Sequence, residues 1–167
     1  IGTGTVVGVI GGLFHMLNNA IYKCCLFMGA GAVEKRAGTT ELEELGGLAK
    51  AMPVTFWTML FASLAISGVP PFNGFVSKWL IYQGTIEAGR PVFLIAAMFG
   101  SALTAASFIK VLHSLFFGKK PEGMQEVKPA GWAMSVPMVV LALLCVVFGV
   151  FAQYPLRHFF GPVMGMD

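Results

Sequence analysis

Residues 66–83, ISGVPPFNGFVSKWLIYQ, decide how this chain must fold. Two consecutive prolines, Pro70 and Pro71, remove backbone donors and stop an α-helix, and Gly68 and Gly74 on either side allow backbone angles that other residues resist. The apolar residues flanking them read as helix, so one helix is expected to be broken at Gly68–Gly74. Lys78 then stands in the first turn or so of the second half. A cation there is opposed both by loss of water and by the positive end of the helix dipole, which helps a lysine exchange its proton.

Composition says what solvent the break sits in. Hydrophobic residues make up 56% of the 167 and charged residues 11%. The mean hydropathy is +0.77, whereas about a quarter of the residues of an ordinary soluble domain are charged. A soluble enzyme is excluded. The formal charge of +3 is small and its basic residues are spread along the connections, which argues against a nucleic-acid partner. Cys24 and Cys25 are adjacent in one apolar stretch and Cys145 sits in another, so they read as buried small hydrophobes. With no cysteine cluster and no nucleotide-binding glycine loop, neither a redox centre, a metal nor another cofactor is expected in this chain.

Four apolar stretches are long enough to cross a hydrocarbon core, which takes about 20 helical residues. Segment A runs from about Thr5 to Val33, B from Val54 to Glu87 with the break inside it, C from Val92 to Phe117 and D from Trp132 to Ala152. The expectation is an all-α membrane protein of about four transmembrane helices, forming a single domain over residues 1–167. Trp132 and Tyr154 flank D where amphipathic rings favour the interface. The A–B connection holds Lys35, Arg36 and Lys50 and the C–D connection Lys119, Lys120 and Lys128, against Arg90 between B and C and Arg157 in the tail. By the positive-inside rule, the A–B and C–D loops are cytoplasmic. The chain opens at Ile1 inside apolar sequence, which reads as one piece of a larger membrane unit. Glu87, near the outer end of B, reads as a solvated interfacial carboxylate, with a part in ion exit as the alternative.

Polar backbone freed at membrane depth is tolerated only when buried in protein or lining a wet cavity, and broken helices recur at transporter ion sites. Segment A adds a second signal. His15, Asn19 and Lys23 are spaced by four, so they share one helical face inside an apolar segment. His15 and Lys23 can carry a proton, whereas Asn19 can only hydrogen-bond. Segment C repeats the theme at three-residue steps through Ser101, Thr104, Ser107 and Lys110, with His113 three beyond. Two blander readings compete: interhelical polar glue for the ladder of A, and cations that snorkel to the interface for Lys78, Lys110 and His113. A bis-histidine haem anchor on His15 and His113 is a weaker rival, since it leaves the lysines and the break unexplained. Segment D carries no charged residue or histidine between Trp132 and Gln153, and its role reads as structural.

HMLNNAIYKCCLFMGAGAV (15–33), GGLAKAMPVTF (46–56), ISGVPPFNGFVSKWLIY (66–82) and LFFGK (115–119) occur in that order. Together they resemble the C-terminal part of the antiporter-like proton-translocating subunits of respiratory complex I, the Mrp cation/proton antiporters and the membrane-bound group 4 hydrogenases. NGFVSKWLIYQ (73–83) and GAGAVEKRAGTTELEELGGL (29–48) look most similar to the hydrogenase branch. The resemblance covers nearly the whole chain but only the last four of the family's roughly fourteen core helices, within the second of its inverted repeats.

The resemblance implies roles residue by residue. Lys23 matches the central lysine and His15 the first histidine of a His-x3-His-x3-Lys helix, Lys78 matches the charged residue of the broken helix, and Lys110 falls where many relatives carry arginine. Asn19 departs from the pattern, taking the second histidine's place, so transfer between His15 and Lys23 would pass through water. The implied function is proton translocation, with sodium as the alternative ion, in the prokaryotic inner membrane, driven by electron transfer in a partner redox module. Other membrane subunits are the implied neighbours and no redox chemistry is assigned to this chain. A membrane-arm scaffold that conducts nothing is the alternative function.

Overall fold

Gly68 ends the first half of segment B in the left-handed region, with φ 82°, so that its N–H bonds the Ala65 carbonyl at 3.0 Å and the Val69 N–H bonds Leu64 at 3.0 Å. This is the usual way a glycine satisfies the last carbonyls of a helix. The Pro70–Pro71 peptide is cis, Phe72 is extended, and the second half starts at Asn73. The computed structural model describes residues 2–119, 127–160 and 162. Lys120, one of the basic residues assigned to the C–D loop, lies outside them.

Five main helices follow in chain order: α1 Val6–Ala37, α2 Pro53–Ser67, α3 Asn73–Glu87, α4 Pro91–Leu112 and α5 Trp132–Val150. No strand occurs among the described residues. Thr5 caps α1 by accepting from Gly8 N at 3.2 Å, and Gly38 closes it with φ 79° and an N–H bond to Glu34. Segment A is therefore one turn longer than its apolar run. Lys35 and Arg36 in the last turn face the negative end of the helix dipole and are tolerated there. A π-helical turn, His113–Phe117, extends α4, and Pro137 lies inside α5. Beyond α5, a short turn Gln153–Pro155 leads into a π-turn, Leu156–Phe160, which returns to α1 through an edge contact of Phe14 with Phe160 at 6.0 Å.

Helix α1 is the hub and runs antiparallel to α2 and α3. A Cβ added at Gly84 would strike the Gly8 backbone, one at Gly11 would lie 2.7 Å from Leu80 Cβ, and one at Gly29 would strike Met59. Helix α5 crosses α1 where Cys25 Sγ meets the Met138 carbonyl at 3.5 Å, and its Gly149 abuts Pro71 and Phe72 at the break. Tyr22, Phe14, Met52, Met138, Cys25 and Cys145 are fully buried. Cys24 departs from expectation: it is exposed, because its neighbour Cys25 already takes the α1 position that faces α5.

Helix α4 packs only along one edge, and the most apolar stretch of Pro91–Phe117 has none of its residues buried within the chain. Phe93, Ile95, Phe99 and Leu103 are more than half exposed there, as are Trp132, Leu143 and Phe151 on and after α5. Whole apolar faces of this size need lipid or protein beside them rather than water. Among the described residues, Pro91–Phe117 and Trp132–Val150 are each long and apolar enough to cross a membrane, while Pro53–Ser67 is a shorter apolar helix. The 15 residues of α2 rise only about 22 Å, so a crossing there needs α2 and α3 to act in line.

Candidate functional site

The break creates the site by bringing opposite helix ends face to face. Lys78, in the second turn of α3, sends its Nζ back to the Ile66 carbonyl at 2.8 Å, at the C-terminal end of α2. Its stem lies over Gly68, where an added Cβ would stand 2.9 Å from Lys78 Cδ, so glycine there serves the lysine as well as the turn. Only the repulsive N-terminal end of α3 was visible in the sequence. The carbonyl end of α2 attracts the same cation, so Lys78 is held between opposed partial charges. It is half-buried and lines a cleft of about 240 Å³ bounded by Ser67, Phe75, Tyr82, Ser101 and Ala105. Ser101 from α4 closes the cleft by hydrogen bonding Tyr82 Oη at 2.8 Å.

On the other side of α3 stands His15. Its Nδ1 lies 2.9 Å from Ser77 Oγ, the residue next to Lys78, so α1 and the start of α3 share a titratable pair of neighbours. Ser77 is fully buried and also reaches the Gly74 carbonyl at 3.2 Å. Below it lies a contact that the four-residue ladder missed. Asn18 donates to the Asn73 carbonyl at 3.1 Å, and Asn73 Nδ2 donates back to Asn18 Oδ1 at 2.9 Å, both residues being fully buried. Asn73 Oδ1 is a buried acceptor that no donor meets among the described residues.

The remaining candidates divide. Asn19 is half-buried and Lys23 exposed, so the ladder turns progressively away from α3 as α1 proceeds. Thr104 and Ser107 return their hydroxyls to the carbonyls of Gly100 and Leu103 on their own helix, leaving Ser101 as the member of that stripe that reaches the site. Lys110, His113 and Glu87 are exposed. His113 begins the turn whose Leu115 carbonyl bonds Leu48, at the far end of α4 from the break, so it does not meet His15.

The asparagine pair has a measurable weight. Asn18→Leu leaves the Asn73 side-chain amide unpaired in the interior, while the Asn73 carbonyl keeps Ser77 Oγ at 3.4 Å, with an expected loss of about 1–2 kcal/mol, given that interhelical hydrogen bonds in membranes sit at the low end of the range. Unfolding of the intact subunit in mixed detergent reads this loss. In a double-mutant cycle with Asn73→Leu, most of it should appear as coupling, and purely additive losses would mean the pair does not hold the break.

Residues 1–104 match the protein family described as NADH:quinone oxidoreductase/Mrp antiporter, TM. Hydrogenase-4 component B of Escherichia coli is 36% identical over 161 residues, covering 90% of this chain and 24% of that protein. Na(+)/H(+) antiporter subunit A1 of Staphylococcus haemolyticus is 36% identical over 158 residues, covering 87% and 20%. Among solved structures, a chain of the membrane-bound sulfane sulfur reductase, an archaeal respiratory membrane complex, superposes with a TM-score of 0.83 at 35% identity, covering 87% of this chain and 24% of that one. The chain thus spans about a quarter or less of the length of these relatives. With more than half its residues inside the family match, this chain belongs to the NADH:quinone oxidoreductase/Mrp antiporter transmembrane family.

Proposed function

We propose that this chain is an ion-translocating segment of a membrane complex, in which Lys78 and His15 at the helix break, and Lys23 farther along α1, are successive steps of a proton path. The observation that carries the reading is the half-buried Lys78 ammonium, hydrogen-bonded to the last turn of α2 and bordering a cleft, one residue from the Ser77 that meets His15. A lysine at that depth is costly, and its neighbours supply acceptors without a neutralising carboxylate in the described hydrogen bonds. In this reading Lys78 gains and loses a proton at that place.

In this reading α1, the α2–α3 pair, α4 and α5 make four crossings, with the α1–α2 and α4–α5 connections on the cytoplasmic side of a prokaryotic inner membrane. Electron transfer in a partner module changes the field beside the segment, and protons pass between the lysines by way of water, with Asn19 and the free Asn73 acceptor as hydrogen-bonding stations. A swing of one pKa unit is worth about 1.4 kcal/mol, and carrying one charge through 100 mV takes about 2.3 kcal/mol, so alternation by a couple of units suffices. The relatives include a Na(+)/H(+) antiporter subunit, which keeps sodium as the second candidate ion.

Ion uptake by proteoliposomes containing the intact parent complex, with electron transfer followed in parallel, tests the proposal. At matched assembly, Lys23→Ala and Lys78→Ala should each lower uptake. Normal uptake by both variants would leave the segment as scaffold.

A further inference from the structure

Past the end of α5 the chain makes a second concave surface that the ion path does not use. A cleft of about 640 Å³ opens between the last turn of α5 and the terminal turn, lined by Val150 and Phe151 on one side and by Gln153, Tyr154, Arg157 and His158 on the other. Tyr154 and His158 stack at 4.3 Å, and His158 Nδ1 lies 3.0 Å from the Tyr154 carbonyl, which fixes the imidazole on the cleft that Arg157 also lines. The terminal turn is itself pinned to α1 by the Phe14–Phe160 contact, so the cleft keeps its shape. Helix α5 contributes 19 residues, nearly all apolar, a rise of about 28 Å, so its end falls at the edge of a hydrocarbon core. Phe151 is 65% exposed and Tyr154 63%, which places an apolar wall and an aromatic belt at that edge, with cationic and neutral donors just beyond.

We propose that this cleft seats the phosphate of an anionic phospholipid, with the Arg157 guanidinium taking the phosphate oxygens, Gln153 and Tyr154 supplying further donors, the His158 ring stacked on Tyr154 to hold it in place, and Val150 and Phe151 bordering the first acyl carbons. Arginine suits the site because its planar fork donates two parallel hydrogen bonds to a phosphate. A free phosphate would use the same donors but not the apolar wall, and that wall decides the source. The assignment rests on the reading that α5 crosses the bilayer and is independent of whether the lysines conduct.

The intact subunit, stripped of lipid in detergent, is given dioleoyl phosphatidylglycerol, dioleoyl phosphatidylcholine or inorganic phosphate, and retained molecules are counted by native mass spectrometry. The wild type should retain one phosphatidylglycerol that Arg157→Gln with His158→Gln loses, with affinity for that lipid falling at least about fivefold for the guanidinium charge removed, and Arg157→Lys should lose less than Arg157→Gln. Equal retention by wild type and the double variant overturns the site. Displacement of the lipid by millimolar inorganic phosphate overturns the lipid source. Insertion of the wild type into phosphatidylcholine vesicles reads the bilayer assignment separately, so its failure is distinguishable from failure of the site. Helical circular dichroism and a single elution peak matched to wild type keep loss of lipid by the double variant from being loss of fold.

Discussion

Gly74→Leu is expected to leave little assembled subunit in the membrane. A Cβ at residue 74 would be driven into the Ala65 carbonyl oxygen, which is backbone at the end of α2 and has no flexible side chain to move aside. Overpacking of cores commonly costs 1–3 kcal/mol, and a backbone collision at a junction that is fixed on its other side should reach about 3 kcal/mol or more. That other side is α5, where Gly149 meets Pro71 and Phe72 at equally close range. The break is therefore clamped between two helices through glycines, and neither half can slide to make room. Quantifying subunit in the membrane fraction and its elution as a single species checks this. Gly100→Ala is the control: nothing stands within 4 Å of a Cβ there, so the variant should accumulate normally and gain slightly from helix propensity. Normal assembly of Gly74→Leu would mean that the two half-helices are less closely joined than described.

The second large effect concerns function at intact assembly. Lys78→Ala removes the ammonium from the Ile66 carbonyl and its stem from Gly68, and leaves a wider cleft, but it touches neither the Asn18–Asn73 pair nor the glycine contacts at Gly74 and Gly149. Assembly should therefore survive while ion uptake per electron transferred falls by about tenfold or more, the consequence of losing a step worth at least about 1.4 kcal/mol of barrier. His15→Leu should cost less than Lys78→Ala, because Ser77 and water remain beside the vacated imidazole and can still relay a proton. The ordering is read from initial rates of uptake normalised to electron transfer. An effect of His15→Leu larger than that of Lys78→Ala would move the centre of the path from the broken helix to α1.

The break was legible in the sequence because it is local chemistry: two prolines and two glycines leave an α-helix no way through, whatever packs around them. Lys78 was legible for a similar reason, as a charge in an apolar run. Its hydrogen bond to Ile66 was not, since that depends on the angle at which α3 leaves α2. Asn18 was passed over in favour of Asn19 because the four-residue step from His15 to Lys23 lands on residue 19. The signal that would have found it is the α1 core stripe through Phe14, Asn18, Tyr22, Cys25, Gly29 and Ala32, where one amide interrupts apolar and small residues. Its partner Asn73 lies 55 positions away and follows only from the register of two helices. The Ser101–Lys110 stripe shows the opposite failure: periodicity predicted a shared face, but a face has a function only where another helix meets it, and α3 meets Ser101 alone of that set by hydrogen bond.

The central claim is that Lys78 gains and loses a proton during turnover, and Lys78→Arg tests it most directly. Arginine keeps the charge, can still donate to the Ile66 carbonyl and does not deprotonate at the pH of any turnover. Proton uptake by the intact parent complex carrying Lys78→Arg, with electron transfer and assembly matched to wild type, should fall as far as it does with Lys78→Ala. Uptake at the wild-type ratio would contradict the account, because a fixed positive charge would then be all that the break requires.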